Sequence, residues 1–140
     1  MNTNFYSSVT NFLKKRTIEL LGLLLILNAL FLFISIITYS PEDPSFIYGE
    51  KVTPIKNFFG IYGSVTSDFL LQCFGVLSFL IILTFFSWGL NLILKKIIKS
   101  ILIKFFCLLI SLIFGSLLIF ITFNNSFWLI DNGNSGFVGR

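Results

Sequence analysis

"LLGLLLILNALFLFISIITYSPEDPSF", residues 20–46, decides how this chain must be read. Residues 20–39 carry no charge, and as a helix they reach about 30 Å, the thickness of a bilayer's hydrocarbon core. The run then stops. Pro41 lacks the N–H that a continuing helix needs and disfavours helix at Ser40. Glu42 and Asp43 resist entry into hydrocarbon, where a carboxylate is costly, and Asp43-Pro44 favours a turn. Tyr39 and Phe46, one on each side, suit the headgroup level. A secretory signal peptide would have a shorter apolar region and a small-residue cleavage site. The stretch therefore reads as an uncleaved transmembrane helix followed by an exit turn.

Composition extends this reading to the whole chain. Hydrophobic residues make up 56% of the 140 positions and charged residues 11%, against roughly 25% in ordinary globular proteins. A soluble protein so poor in charge would present large apolar patches to water. The 19 Phe come with abundant Ile, Asn and Lys and a single alanine, Ala29, a bias of AT-rich coding. The rings therefore read as bulk facing lipid or other helices. The absence of His excludes His-based metal sites and general bases. Cys73 and Cys107 lie in apolar runs and read as small buried residues.

Residues 1–17 form a basic cytoplasmic arm ending in Lys14, Lys15 and Arg16. An outer loop, 40–67, holds all three prolines and the acids Glu42, Asp43 and Glu50. A second span is expected over 69–94, with Asp68 where a helix N-terminus favours negative charge. A short turn follows with Lys95, Lys96 and Lys99, then a third span over 101–123, with Lys104 placed to snorkel. Residues 124–140 form a polar, Gly-rich outer tail. The outer loop has only Lys51 and Lys56, so the positive-inside rule places the N-terminus and the basic turn in the cytoplasm. The expected fold is an all-α membrane protein with three transmembrane helices, a hairpin plus a third helix.

Two further patterns concern packing. Gly60/Gly63 and Gly133/Gly136 each follow a span and an outer polar stretch, about 73 residues apart, as if two helical hairpins stood in tandem. Cys107, Ser111 and Gly115 form a small-residue stripe on the third span, of the kind that lets helices approach closely. Asn28 and Gln72 are polar groups in apolar surroundings, able to bond neighbouring helices.

The exit motif Ser40-Pro41-x-Asp43-Pro44-Ser45-Phe46, the later Asn57, Gly60, Gly63 and Asp68, and Phe74-Gly75 at the second helix together resemble the N-terminal membrane domain of FtsK/SpoIIIE-type DNA translocases. The resemblance covers residues 17–139; many members carry Trp where this chain has Phe46. It implies a four-helix membrane region, here truncated before the fourth helix. It also implies a role in cell division and chromosome partition, with anchoring in the bacterial inner membrane at the septum. Partners implied are the lipid bilayer, further copies of the chain and other division proteins. DNA and ATP would be handled by a C-terminal motor outside this chain.

The residues themselves assemble no catalytic set. Gly-x-x-x-x-Gly-Lys-Ser/Thr does not occur, so no P-loop cradles a nucleotide, and no cofactor or enzyme activity is expected of this fragment. The acids of the outer loop read as solvated. The basic clusters abut spans, so topology and anionic lipid account for them better than nucleic acid does. The rival reading is a small multi-pass channel, holin-like or transporter-associated protein. It would need polar residues lining a path, and the spans offer only Asn28, Gln72, Asn91 and scattered hydroxyls.

Overall fold

The computed structural model describes residues 3–45, 54–94, 100–123 and 133–139. Helices run over Thr3–Ile37 (α1), Gly60–Phe74 (α2), Ser78–Ile93 (α3) and Ile101–Thr122 (α4). Short 3-10 turns lie at Gly75–Leu77 and Phe137–Gly139, and there is no strand among the described residues. Three stretches are long and apolar enough to cross a membrane: Tyr6–Ile37, Gly60–Ile93 and Ile101–Thr122. The fold is all-α.

The basic arm is not separate from the first span. α1 is one helix of 35 residues, about 52 Å long, because nothing between Thr3 and Glu19 breaks it. Lys14, Lys15 and Arg16 ride exposed on its first half. Arg16 pairs with Glu19 at 2.6 Å and lies 5.3 Å over the Phe12 ring.

α1 packs chiefly against α3 and, at its C-terminal end, the one the charge pattern predicts to be outer, against α2. The buried face of α1 steps by seven residues through Gly22, Ala29 and Ile36. That period keeps one stripe facing a partner along a long crossing. Ala29, Leu32 and Ile36 form the core with Leu71 and Ile82. The closest approach is at Gly22 and Gly89. A Cβ on Gly22 would stand 2.9 Å from the Gly89 carbonyl oxygen, and one on Gly89 would stand 2.7 Å from that of Gly22. Backbone meets backbone there, as small residues permit in membrane helix pairs.

The second span differs from the expected 69–94 in two ways. Its helix begins at Gly60, and it is interrupted at Gly75. Gly75 adopts φ +57°, a region that suits glycine. A Cβ there would stand 2.1 Å from the carbonyl oxygen of Asn134, and the Val76 N–H donates to that same oxygen at 3.0 Å. The Ser78 hydroxyl donates to the carbonyls of Leu70 and Gly75, both at 2.8 Å, tying the start of α3 to the end of α2 across the break.

The end of the chain is not a free outer tail. Gly136 takes φ +65° with its Cα against the backbone of Cys73 and Gly75, and Gly139 lies against the Ser116 carbonyl. Residues 134–136 are buried between the α2–α3 break and α4. Ser116 stands six residues, about 9 Å, below the outer end of α4. Non-helical backbone at such a depth is tolerated where protein covers it. α4 meets the rest of the chain mainly through these two 3-10 turns.

The paired glycines recur in a different register from the 73-residue echo. Gly60 and Gly136 both have positive φ and both open a helical turn, and their N–H groups donate to Asn57 and Gly133, three residues back, at 2.9 and 3.5 Å. The second glycine of each set, Gly63 and Gly139, is buried. The matching units are therefore Gly60-x-x-Gly63 and Gly136-x-x-Gly139.

Candidate functional site

Of the family-like residues, Ser40, Pro41, Asp43, Pro44, Asn57, Gly60, Gly63 and Asp68 gather at the outer end of the α1–α2 hairpin, which we call the elbow, while Phe74-Gly75 lie at the α2–α3 break. α1 ends at Ile37, before Pro41, and the Ser40 carbonyl accepts the Asp43 N–H at 3.2 Å, turning the chain. This turns Asp43 inward, leaving it 6% exposed. Its carboxylate accepts two backbone N–H groups, from Lys56 at 2.9 Å and Asn57 at 2.8 Å. Hydrogen bonds to a charged acceptor are about twice as strong as neutral ones. Asp43 thus fastens the start of the elbow to its end, more than ten residues away, rather than merely barring entry into the membrane.

Asn57, also buried, continues the tie. Its amide donates to the Ser35 carbonyl at 2.9 Å and the Thr38 carbonyl at 3.4 Å, both on the last turns of α1 or just beyond. Its Oδ1 accepts from the Phe59 N–H at 3.1 Å, supplying the orphan donor ahead of α2. Gly63 is required by the same side chain: a Cβ there would stand 2.0 Å from Asn57 Oδ1. The Thr38 hydroxyl accepts from the Phe58 N–H at 3.2 Å, and the Ser64 hydroxyl donates to the Pro44 carbonyl at 2.6 Å.

Asp68 lies two turns inside α2, not at its mouth, because Asn57 and Gly60 start the helix earlier. Its reading as a charge at a helix N-terminus gives way to a buried polar cluster. The Tyr39 hydroxyl donates to it at 3.2 Å and the Gln72 amide at 3.0 and 2.9 Å. Gln72 thus bonds within its own helix, and Tyr39 is half-buried rather than floating at the interface. At the rim, Lys56 and Glu42 form an exposed ion pair. The Glu42 hydrogen bond and charge raise the Lys56 pKa above its usual 10.5.

Other expected site residues fall elsewhere. Ser45 is half-buried beside Pro44. Phe46, Lys95, Lys96 and Lys99 lie outside the described residues. Of the stripe on α4, Gly115 packs on Leu77, whose Cδ1 would be 2.7 Å from an added Cβ, while Cys107 and Ser111 are exposed. Asn28 is exposed on α1. Sequence reasoning passed over Ser64, Ser78 and the Gly22–Gly89 contact. The seven-residue step from Gly22 to Ala29, the single alanine, was the available signal for the last. Among the described residues, no three His, Cys, Asp or Glu side chains could hold a metal ion. Among the described residues the elbow's chemistry is structural: carboxylates and amides that meet backbone and side-chain donors and acceptors.

The sequence is similar to a group of bacterial translocases. It is 40% identical over 86 residues to "DNA translocase FtsK" of Rickettsia typhi, covering 61% of this chain and 11% of that protein. It is 43% identical over 65 residues to the protein of that name from Rickettsia bellii, covering 46% of this chain and 8% of the relative. It is 32% identical over 97 residues to that of Azospirillum brasilense, covering 68% and 15%. The chain thus spans only about a tenth of the length of these relatives. No solved structure matches it. The family described as the 4TM region of DNA translocase FtsK/SpoIIIE matches residues 14–140, nearly the whole sequence and the entire elbow, so this chain belongs to that family.

Proposed function

We propose that this chain is the inner-membrane anchor of an FtsK/SpoIIIE-type DNA translocase and holds it at the division septum. The observation that carries the reading is the family match over 14–140, on a chain in which buried Asp43, Asn57 and Asp68 brace a hairpin. The N-terminus and the basic turn lie in the cytoplasm and the elbow in the periplasm, by the distribution of Lys and Arg. ATP hydrolysis and DNA movement belong to a motor elsewhere in a longer protein, since this sequence contains no P-loop. A channel would need polar side chains along a path through the spans; here the buried ones form two separate groups, at the elbow and where residues 134–139 dock on the α2–α3 break, which favours an anchor.

Its partners would be other division proteins and further copies of itself. Exposed Asn28, in mid-span on α1, supports self-association, since an amide facing hydrocarbon gains from a hydrogen bond to another helix. Replacing it with Leu should weaken self-association in detergent; an unchanged oligomer distribution argues against that contact. The anchor reading is tested with a fluorescent protein fused to the N-terminus. Enrichment at midcell is expected in dividing cells, and uniform fluorescence around the envelope would overturn it. Topology is tested separately, with Glu42→Cys in a chain lacking Cys73 and Cys107. An impermeant maleimide should label it in intact cells; labelling only after the cells are opened would reverse the orientation.

A further inference from the structure

We propose that the groove between α3 and the inner half of α4 is a binding site for an anionic phospholipid. One acyl chain would lie in the groove and the headgroup phosphate would meet Lys104. The groove exists because α4 is held to the molecule mainly at its outer half, by the two 3-10 turns. Its inner half stands away from α3 and leaves an open-sided cavity of about 290 Å³. Leu80, Thr84 and Trp88 of α3 form one wall, and Lys104, Cys107 and Ser111 are on the other.

Three observations fix the occupant. The first is length. Leu80 to Trp88 rises about 12 Å along α3, and a single leaflet is about 15 Å deep, half the hydrocarbon core. The second is polarity. The Thr84 hydroxyl is spent on its own helix, donating to the Leu80 carbonyl at 2.7 Å, so that wall offers hydrocarbon little but apolar surface. Lys104 and Trp88 stand together towards the basic end, an ammonium and an interfacial aromatic where a headgroup would lie. Lys104 has no ion pair among the described residues. The third is charge. Among the described residues, that end of the molecule carries Lys14, Lys15, Arg16 and Lys104 and one acid, Glu19, already paired with Arg16. A second copy aligned in the same membrane would bring the same positive end against Lys104, whereas a phosphate complements it.

Trp88 is itself the reporter. The chain has two tryptophans, so Trp128→Phe leaves Trp88 alone. The protein is reconstituted in symmetric phosphatidylcholine vesicles containing a minor fraction of either brominated phosphatidylglycerol or brominated phosphatidylcholine, whose bromines quench indole on contact. Brominated phosphatidylglycerol should quench Trp88 with about five-fold higher apparent affinity. Lys104→Gln should bring the ratio near one, and Lys104→Arg should keep it; Lys104 is exposed, so neither change threatens the fold. Equal quenching by the two lipids in the parent overturns the proposal, as does a preference unchanged in Lys104→Gln. Absence of quenching by either lipid also overturns it, since protein then fills the groove. The assay does not depend on insertion direction or on septal placement, so its failure and that of the anchor reading are separable.

Discussion

Asp43 shows what one side chain contributes to the elbow. Its two N–H partners sit on Lys56 and Asn57, and none of the three groups can turn to water without opening the loop. Asp43→Ala leaves the buried Asn57 N–H and the part-buried Lys56 N–H unmet, at a cost of about 2 kcal/mol. Asp43→Asn keeps an acceptor but loses the charge and should cost about half as much. Unfolding in mixed micelles checks the order, and equal stability of all three proteins would refute the tie. The neighbouring Lys56–Glu42 pair behaves differently, because both groups are exposed. Glu42→Gln should leave stability unchanged within the error of the unfolding assay, since exposed pairs contribute little. The sign of its pH dependence follows from a Lys56 pKa raised in the folded state. Any stabilisation is present below the usual 10.5 and fades as pH rises through the higher folded value, so stability should be flat in this respect from pH 6 to 9. A loss in that range that disappears in Glu42→Gln would contradict it. The exit turn was legible from Pro41 and Asp43-Pro44, since those preferences are local. The inward aim of Asp43 was not, because its partners are more than ten residues distant.

At the level of elements, two glycines ask for different things. Gly89 needs space: its Cβ would meet backbone of α1, which cannot swing aside. Gly89→Ala should force the helices apart and cost about 2 kcal/mol. At Gly115 the obstruction is the end of the Leu77 side chain, so Gly115→Ala should cost less than about 1 kcal/mol. The opposite ranking in the same unfolding assay would put the close crossing on α4 instead of on α1–α3. Gly75 needs both space and a positive φ. Gly75→Ala should dislodge residues 133–139 from the crevice, seen as faster cleavage at Phe137 by added protease, and unchanged cleavage would refute the docking. Hydrophobic runs disclosed that spans exist near 20–39, 69–94 and 101–123, because length and apolarity are enough for that. They could not disclose the break at Gly75. A lone glycine in an apolar run reads as continuous helix until another part of the chain supplies the Asn134 carbonyl that occupies the gap. Nor could they place the start of α2 at Gly60, since the capping role of Asn57 depends on a helix end folded against it.

Among the described residues, restraint is unequal between the two ends of the molecule. The outer end holds the elbow's hydrogen bonds, the Asp68 cluster and the docked 133–139 segment. The inner end of α4 has none of these, and its first two turns, 101–107, are exposed throughout. The charge pattern predicts an orientation, but not this asymmetry, which arises from contacts between segments far apart in sequence. Local stability follows buried contacts and hydrogen bonds, so the inner half of α4 should move against α3 while the outer half stays fixed. Spin labels at Leu83 and Leu118, both exposed, report on the outer half; labels at Leu90 and Ile103 report on the inner half. In phosphatidylcholine the outer pair should give a narrow distance distribution and the inner pair a broad one. Phosphatidylglycerol should narrow the inner distribution alone, because a lipid lodged between α3 and α4 supplies the contacts that this half lacks. Equal widths for the two pairs in phosphatidylcholine would mean that α4 is fastened along its whole length, and the outer end would lose its place as the rigid part of the anchor.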